Sequence, residues 1–234
     1  MKHQAIDPKQ LSPQGLSQFI DHTLLRPEAT EAEIKKVCAE AIEHKFKTVC
    51  VELKWLPCAV AALKGSSVLP IAVICFPAGT APTKEKVEMT QSAIKIGAQE
   101  IDMVLNRIWL KNHEYDRVLN DIQQVVKAAG QAPVKVILET SELSLEEKAI
   151  ACALAKVAGA AFVKTSTGFS KAGATVEDVQ LMRDLVGAEM GVKASGGVRS
   201  YEDAIKMITA GANRLGTSAS VAIVKGAPAA SGGY

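Results

Sequence analysis

Aromatic residues are scarce, 4% of 234 positions, although 48% of the chain is hydrophobic. The apolar mass is therefore Val, Ile, Leu and Ala, which suits parallel strands covered by helices on both faces. One-sided charge is missing as well: 27 basic and 25 acidic residues leave a net charge of +2. No basic block or aromatic-basic interleaving occurs, which argues against nucleic acid or an anionic membrane as partner. The five cysteines (Cys38, Cys50, Cys58, Cys75, Cys152) contain no C-x-x-C pair, are odd in number and sit in apolar settings. They read as free thiols in a reducing, cytoplasmic compartment. His3, His22, His44 and His113 form no pair at ligand spacing, and no serine–histidine or cysteine–histidine constellation appears, so neither metal nor cofactor is expected. His44 and His113 read as surface residues and His22 as facing the outside of whatever sheet carries it. The N-terminus, MKHQAIDPKQ, lacks the apolar core of a signal peptide, and no run approaches a membrane span. Absent, finally, are a G-x-G-x-x-G turn, a Walker glycine loop and any Asn-Gly hairpin turn.

What is present is a rhythm. Strand candidates lie at 21–25, 48–51, 70–75, 100–105, 134–139, 161–165, 191–195 and 214–217, spaced roughly 22–34 residues apart, the length of a βα unit. Helix starts between them carry a hydroxyl followed three residues later by an acid: Thr30 and Glu33, Ser144 and Glu147, Thr175 and Asp178, Ser200 and Asp203. Paired Ala and Gly (Gly97-Ala98, Ala129-Gly130, Gly159-Ala160, Gly211-Ala212) stand where several helices should stop. The pattern predicts an α/β, single-domain (β/α)8 TIM barrel over 16–226, after a lead segment 1–15 with a helix around 13–20 and before a flexible tail 227–234. A doubly wound open sheet is the runner-up.

In such a barrel the C-terminal ends of the strands face the substrate. Three charged residues there interrupt apolar strands: Asp102, Lys164 and Lys193. A buried ammonium costs several kcal/mol unless paired or deprotonated. Two lysines about 6 Å apart at an effective dielectric near 20 repel by about 2.8 kcal/mol, enough to bring one toward the free amine near neutral pH. Burial pushes the same way, and Asp102 would keep the other lysine charged. That arrangement makes an amine nucleophile without a metal. Asp21, Thr23 and Cys50 stand at other strand ends, although Cys50 reads first as a buried structural thiol and only second as a pocket residue. Gly196-Gly197-Val198-Arg199 and Gly216-Thr217-Ser218, following the seventh and eighth strands, are placed to offer backbone amides to a phosphate, with Gly168 adding a third loop.

Seven segments carry a family likeness: DHTLL at 21–25, EIDMV at 100–104, VKVILET at 134–140, FVKTSTGFS at 162–170, GATVEDVQLM at 173–182, GVKASGGVR at 191–199 and RLGTS at 214–218. From about Ile20 to Val224 the chain resembles the deoxyribose-phosphate aldolases, class I (Schiff-base) aldolases on a TIM barrel. The resemblance implies reversible cleavage of 2-deoxy-D-ribose 5-phosphate to acetaldehyde and D-glyceraldehyde 3-phosphate. It implies Lys164 as the Schiff-base lysine, Lys193 as its perturbing neighbour and Asp102 as a proton relay. Asp21 and Thr23 then belong to the substrate pocket, and Gly168, Gly197, Gly216 and Ser218 to the phosphate site with Arg199 at its edge; Cys50, Thr165 and Gly196 are further candidate substrate-binding residues on their position at strand ends and in the glycine turn. The terminal Tyr234 matches a family tyrosine implicated in proton transfer at the enamine carbon. A homo-oligomer, dimer or tetramer, is expected. Glu52-Leu53 stands where relatives usually carry Asn-Pro, and Ala219-Ser220 where Ser-Gly is common; Ala219 lacks a hydroxyl but keeps its amide. Another lysine-dependent sugar-phosphate aldolase or transaldolase, or a non-catalytic sugar-phosphate-binding barrel, are the alternatives.

Overall fold

The computed structural model describes residues 11–226. Parallel strands β1 (Ile20–Leu24), β2 (Thr48–Glu52), β3 (Leu69–Ile74), β4 (Glu100–Val104), β5 (Val134–Ile137), β6 (Phe162–Lys164), β7 (Gly191–Ser195) and β8 (Arg214–Thr217) close into a barrel in sequence order. The helices that alternate with them are α1 (Glu31–Glu43), α2 (Leu56–Leu63), α3 (Thr83–Ile96), α4 (Arg107–Lys111), α5 (Tyr115–Ala129), α6 (Leu145–Val157), α7 (Val176–Val186), α8 (Tyr201–Thr209) and α9 (Ser220–Val224). This is the (β/α)8 TIM barrel the spacing predicts, and closure through β1 and β8 sets the open sheet aside. The lead helix is a short 3-10 turn, Gln14–Phe19. Strand β5 ends before Glu139 because that residue turns into the left-handed region (φ 62°).

The predicted caps are made. Thr30, Ser144 and Ser200 form reciprocal capping boxes with Glu33, Glu147 and Asp203, and the Thr175 side chain accepts from the Asp178 amide. Gly97 and Gly130 end α3 and α5 with φ 125° and 62°.

Side chains alternate across each strand, so one face meets the helices and the other the barrel interior. Val49, Val51, Ala72, Ile74, Ile101, Met103, Val136, Val163, Val192 and Leu215 face outward into one apolar core shared with the helices. The interior is different. Leu25, Cys50, Ile71 and Val73 form a small apolar cluster of their own, and seven of the other inward positions carry acidic or basic side chains that are buried. Phe162 fills the N-terminal end beneath those charges. It fits because its register partner is Gly191, where a Cβ would come within 2.1 Å of the Phe162 ring.

Candidate active site

Seven acidic and basic side chains cluster in the barrel interior: Asp21, Glu100, Asp102, Lys135, Lys164, Lys193 and Arg214, all buried. Each charge there costs several kcal/mol unless compensated, and the strand register supplies the compensation. Lys135 sits beside Asp102, Lys164 beside Lys193, and Lys193 beside Arg214. Their contacts close a ring of alternating sign. Glu100 Oε2 meets Lys135 Nζ at 2.5 Å, and Lys135 meets Asp102 Oδ1 at 2.9 Å. Asp102 Oδ2 meets Lys193 Nζ at 2.8 Å, and Lys193 meets Asp21 Oδ2 at 2.5 Å. Asp21 Oδ1 accepts from Arg214 at 2.7 Å, and Arg214 returns to Glu100 at 3.0 Å. Thr48 adds a hydrogen bond to Asp21 Oδ1 at 2.6 Å. Lys135 and Arg214 also lie 5.7 and 5.4 Å from the Phe162 ring, within cation–π range.

Lys164 is the seventh member and lies outside the ring. Its Nζ donates to Asp102 Oδ2 at 2.9 Å, the oxygen that Lys193 already uses. Burial drives the Lys164 ammonium below the usual lysine range; Asp102 opposes this, and Lys193 adds to the lowering. Desolvation, rather than the lysine repulsion expected from the sequence, is the larger cause of the lowering. Lys193 responds the other way. Against the cost of burial, Asp102 and Asp21 hold its ammonium above the usual range. Burial likewise disfavours the carboxylates, yet the cations around Asp102 and Asp21 keep both ionised far below neutral pH. Cys50 faces the same interior, and burial, with Asp102 adding to it, pushes its thiol up to about 11, so it is an uncharged wall. Asp102 and Lys193 are each third in strands of five residues, deeper than the rim where the strand-end reading set them; only Lys164 ends its strand.

Above the lysines, the strand ends open on a cavity of about 670 Å³ lined by Thr23, Arg26, Gly168, Phe169, Ser170 and Ser218, among others. Phe169 packs edge-on against Phe76 across the mouth, centroids 5.3 Å apart. Ser166 and Ser195 present buried hydroxyls that have no hydrogen-bond partner among the described residues. The structure thus brings Thr23, Gly168 and Ser218 together. Thr165 is occupied elsewhere: its hydroxyl donates to the Ser195 carbonyl and accepts from the Ser195 amide, tying β6 to β7. Gly196 (φ 80°) packs on Gly173, where a Cβ would fall 2.2 Å from the Gly196 carbonyl oxygen. Gly197 and Arg199 are exposed, and the Arg199 amide donates to Asp203 at the start of α8. Gly216 leaves space for its neighbours, since a Cβ there would lie 2.5 Å from Ser195 Oγ and 2.9 Å from Lys193 Cε. The amide that Ala219 keeps donates to Thr217 Oγ1 at 3.0 Å. Tyr234 lies outside the described residues.

His22 faces away from the barrel, as its place beside two inward residues implies. It is buried between Ser220 and Glu40, at 2.8 and 2.9 Å. Sequence reasoning passed over Glu100, Lys135 and Arg214. Their signal was nevertheless present: each is a charged residue at an inward position of a predicted strand, as Asp102 is.

A sequence model described as DeoC/LacD family aldolase matches residues 16–227. A deoxyribose-phosphate aldolase of Streptococcus sanguinis is 56% identical over 219 residues, covering 94% of this chain and 99% of the relative. Another, of Streptococcus gordonii, is 54% identical with the same coverage. Among solved structures, a tetrameric deoxyribose phosphate aldolase from Aeropyrum pernix superposes with a TM-score of 0.86 at 33% identity, covering 92% of this chain and 91% of that one.

Proposed function

The chain belongs to the DeoC/LacD family of aldolases, and from that premise we propose that it reversibly cleaves 2-deoxy-D-ribose 5-phosphate to acetaldehyde and D-glyceraldehyde 3-phosphate, with Lys164 as the Schiff-base nucleophile. One observation carries the reading. Lys164 and Lys193 share a single carboxylate oxygen in a buried interior, and Lys193 alone of the two has a second carboxylate, Asp21. The proton therefore stays on Lys193, and Lys164 supplies the free amine.

The Lys164 amine adds to the aldehyde carbon of the open-chain sugar phosphate, and loss of water leaves a protonated imine. That imine accepts the electron pair of the bond between the second and third carbons as it breaks. The third-carbon hydroxyl gives up its proton, and glyceraldehyde 3-phosphate departs. The enamine left on Lys164 is protonated at carbon, and water hydrolyses the resulting imine to acetaldehyde and free lysine. Asp102 and Lys193 are the proton-handling pair, acting through water, and Tyr234 is assigned the protonation at carbon. The cavity lined by Thr23, Gly168 and Ser218 takes the phosphate end. Ser166 and Ser195 stand ready for the substrate's hydroxyls.

We read the protein further as a cytoplasmic homo-oligomer. Its cysteines are free thiols, the Aeropyrum relative is a tetramer, and Ile108, Leu145 and Val157 leave apolar surface exposed. No helix among the described residues is long and apolar enough to cross a membrane.

The test is a product assay. Deoxyribose 5-phosphate should yield equal amounts of acetaldehyde and glyceraldehyde 3-phosphate, and Lys164→Arg should lower kcat by at least about three orders of magnitude. Faster turnover with a dihydroxyacetone donor than with acetaldehyde would point instead to a transaldolase-like enzyme.

A further inference from the structure

The six-membered ring has a property that its separate ion pairs do not. Asp21, Glu100 and Asp102 bring three negative charges; Lys135, Lys193 and Arg214 bring three positive ones, and every member touches two of opposite sign. The ring is neutral and complete without Lys164. A charged Lys164 would leave one positive charge uncompensated in a space where all seven side chains are buried. Half the ring lies out of reach of the substrate cavity. Glu100 and Arg214 are the first residues of β4 and β8, Lys135 is the second of β5, and Lys135 and Arg214 lie over the Phe162 ring.

We propose that Glu100, Lys135 and Arg214 are positioning residues that set the charge state of Lys164 from below, by completing a neutral ring that holds Asp102 and leaves Lys164 as the free amine. This rests on the reading of Lys164 as the nucleophile and extends it to residues that never meet the substrate. The groups facing Lys164 are Asp102 and Glu100 from β4, Lys193 from β7, Cys50 from β2, Lys135 from β5, Asp21 from β1 and Arg214 from β8. Cys50 stays uncharged, so the balance is decided by the other six.

The proposal makes opposite predictions for two neighbours in contact. Lys135→Met removes a positive charge, leaves Asp102 under-compensated and favours the Lys164 ammonium, so Lys164 should titrate at higher pH. Glu100→Gln removes a negative charge, leaves the ring positive and should lower that midpoint. Each shift should be about one to two pH units, the size of a unit charge at this range and an effective dielectric near 20. The double variant should lie between the singles, and the charge-keeping Lys135→Arg should stay near the wild type. A merely structural role would move all variants alike.

The readout is competitive acetylation of the full-length protein by acetic anhydride across pH, with mass spectrometry of the Lys164 peptide. It needs no substrate. A wrong ring proposal is therefore distinguishable from a wrong assignment of the reaction, which would appear as the absence of borohydride trapping. Single-variant midpoints that move in the same direction, or do not move, would overturn the proposal. If the singles do not fold, the balanced pairs Glu100→Gln with Lys135→Met and Glu100→Gln with Arg214→Met decide it. Both should remain within about one pH unit of the wild type, and a shift of two or more in both would overturn it.

Discussion

Asp102 is the residue on which most of the interior depends. It touches three ammonium groups at once, through Lys135, Lys164 and Lys193. Replacing it with Asn would leave Lys135 with Glu100 and Lys193 with Asp21, but Lys164 with no carboxylate. Removing one partner of a buried ionic network costs about 3–5 kcal/mol, so urea unfolding of Asp102→Asn should show a loss of that size together with a collapse of kcat. An unchanged midpoint would mean that the network contributes little. Lys164, Lys193 and Asp102 were legible in the sequence because a charge inside an apolar strand needs a reason. Glu100, Lys135 and Arg214 meet the same condition but stand at strand beginnings, where the search for a site at the C-terminal ends does not look. Gly216 was legible as a glycine but not for its reason. The space it leaves belongs to the Lys193 stem and Ser195, which only the β7–β8 register brings beside it.

Between strands, two devices fix the loops around the cavity. The turn after β6 lies on the turn after β7 through the contact of Gly173 with Gly196, and a methyl group at 173 would collide with backbone. Gly173→Ala should therefore raise KM for the sugar phosphate several-fold and destabilise the protein by about 1–3 kcal/mol. Steady-state kinetics and a denaturation curve check both; an unaltered KM would detach this contact from substrate binding. The second device is His22, which joins β1 to α1 through Glu40 and to α9 through Ser220. Burial holds its imidazolium below the usual histidine range despite Glu40. A depressed folded pKa makes the unfolded chain the stronger proton binder. The stability His22 contributes is therefore present above about pH 6.5 and lost as pH falls through the folded value. Thermal melts should show that decline, and His22→Gln should flatten it; a variant that keeps the full slope would assign it to another group. The helix starts were readable from four hydroxyl–acid pairs because capping is local chemistry. The crossing of Gly173 over Gly196 was not, because it joins two loops that no periodicity relates.

Across the whole molecule, the fold was the most legible feature. Eight apolar segments at βα spacing, with no hairpin turns and no dinucleotide fingerprint, leave few architectures. Closure itself was not visible, since the pairing of β1 with β8 spans the chain and leaves no local trace. The contrast between an apolar outer layer and a charged inner one was visible only in part, through Asp102, Lys164 and Lys193. Assembly is readable only in outline, from Ile108, Leu145 and Val157 at 56%, 69% and 69% exposure. Light scattering on the eluting protein should give a multiple of the 24.7 kDa chain, and replacing these residues with Glu should shift it toward the monomer; a wild-type monomer would end that reading. The central assignment is checked most directly by adding borohydride to the enzyme turning over deoxyribose 5-phosphate and sequencing the trapped peptide by mass spectrometry. A two-carbon adduct on Lys164, absent from Lys164→Arg, is the expected result. An adduct on Lys193, or none on either lysine in an enzyme that still cleaves the sugar, would contradict it.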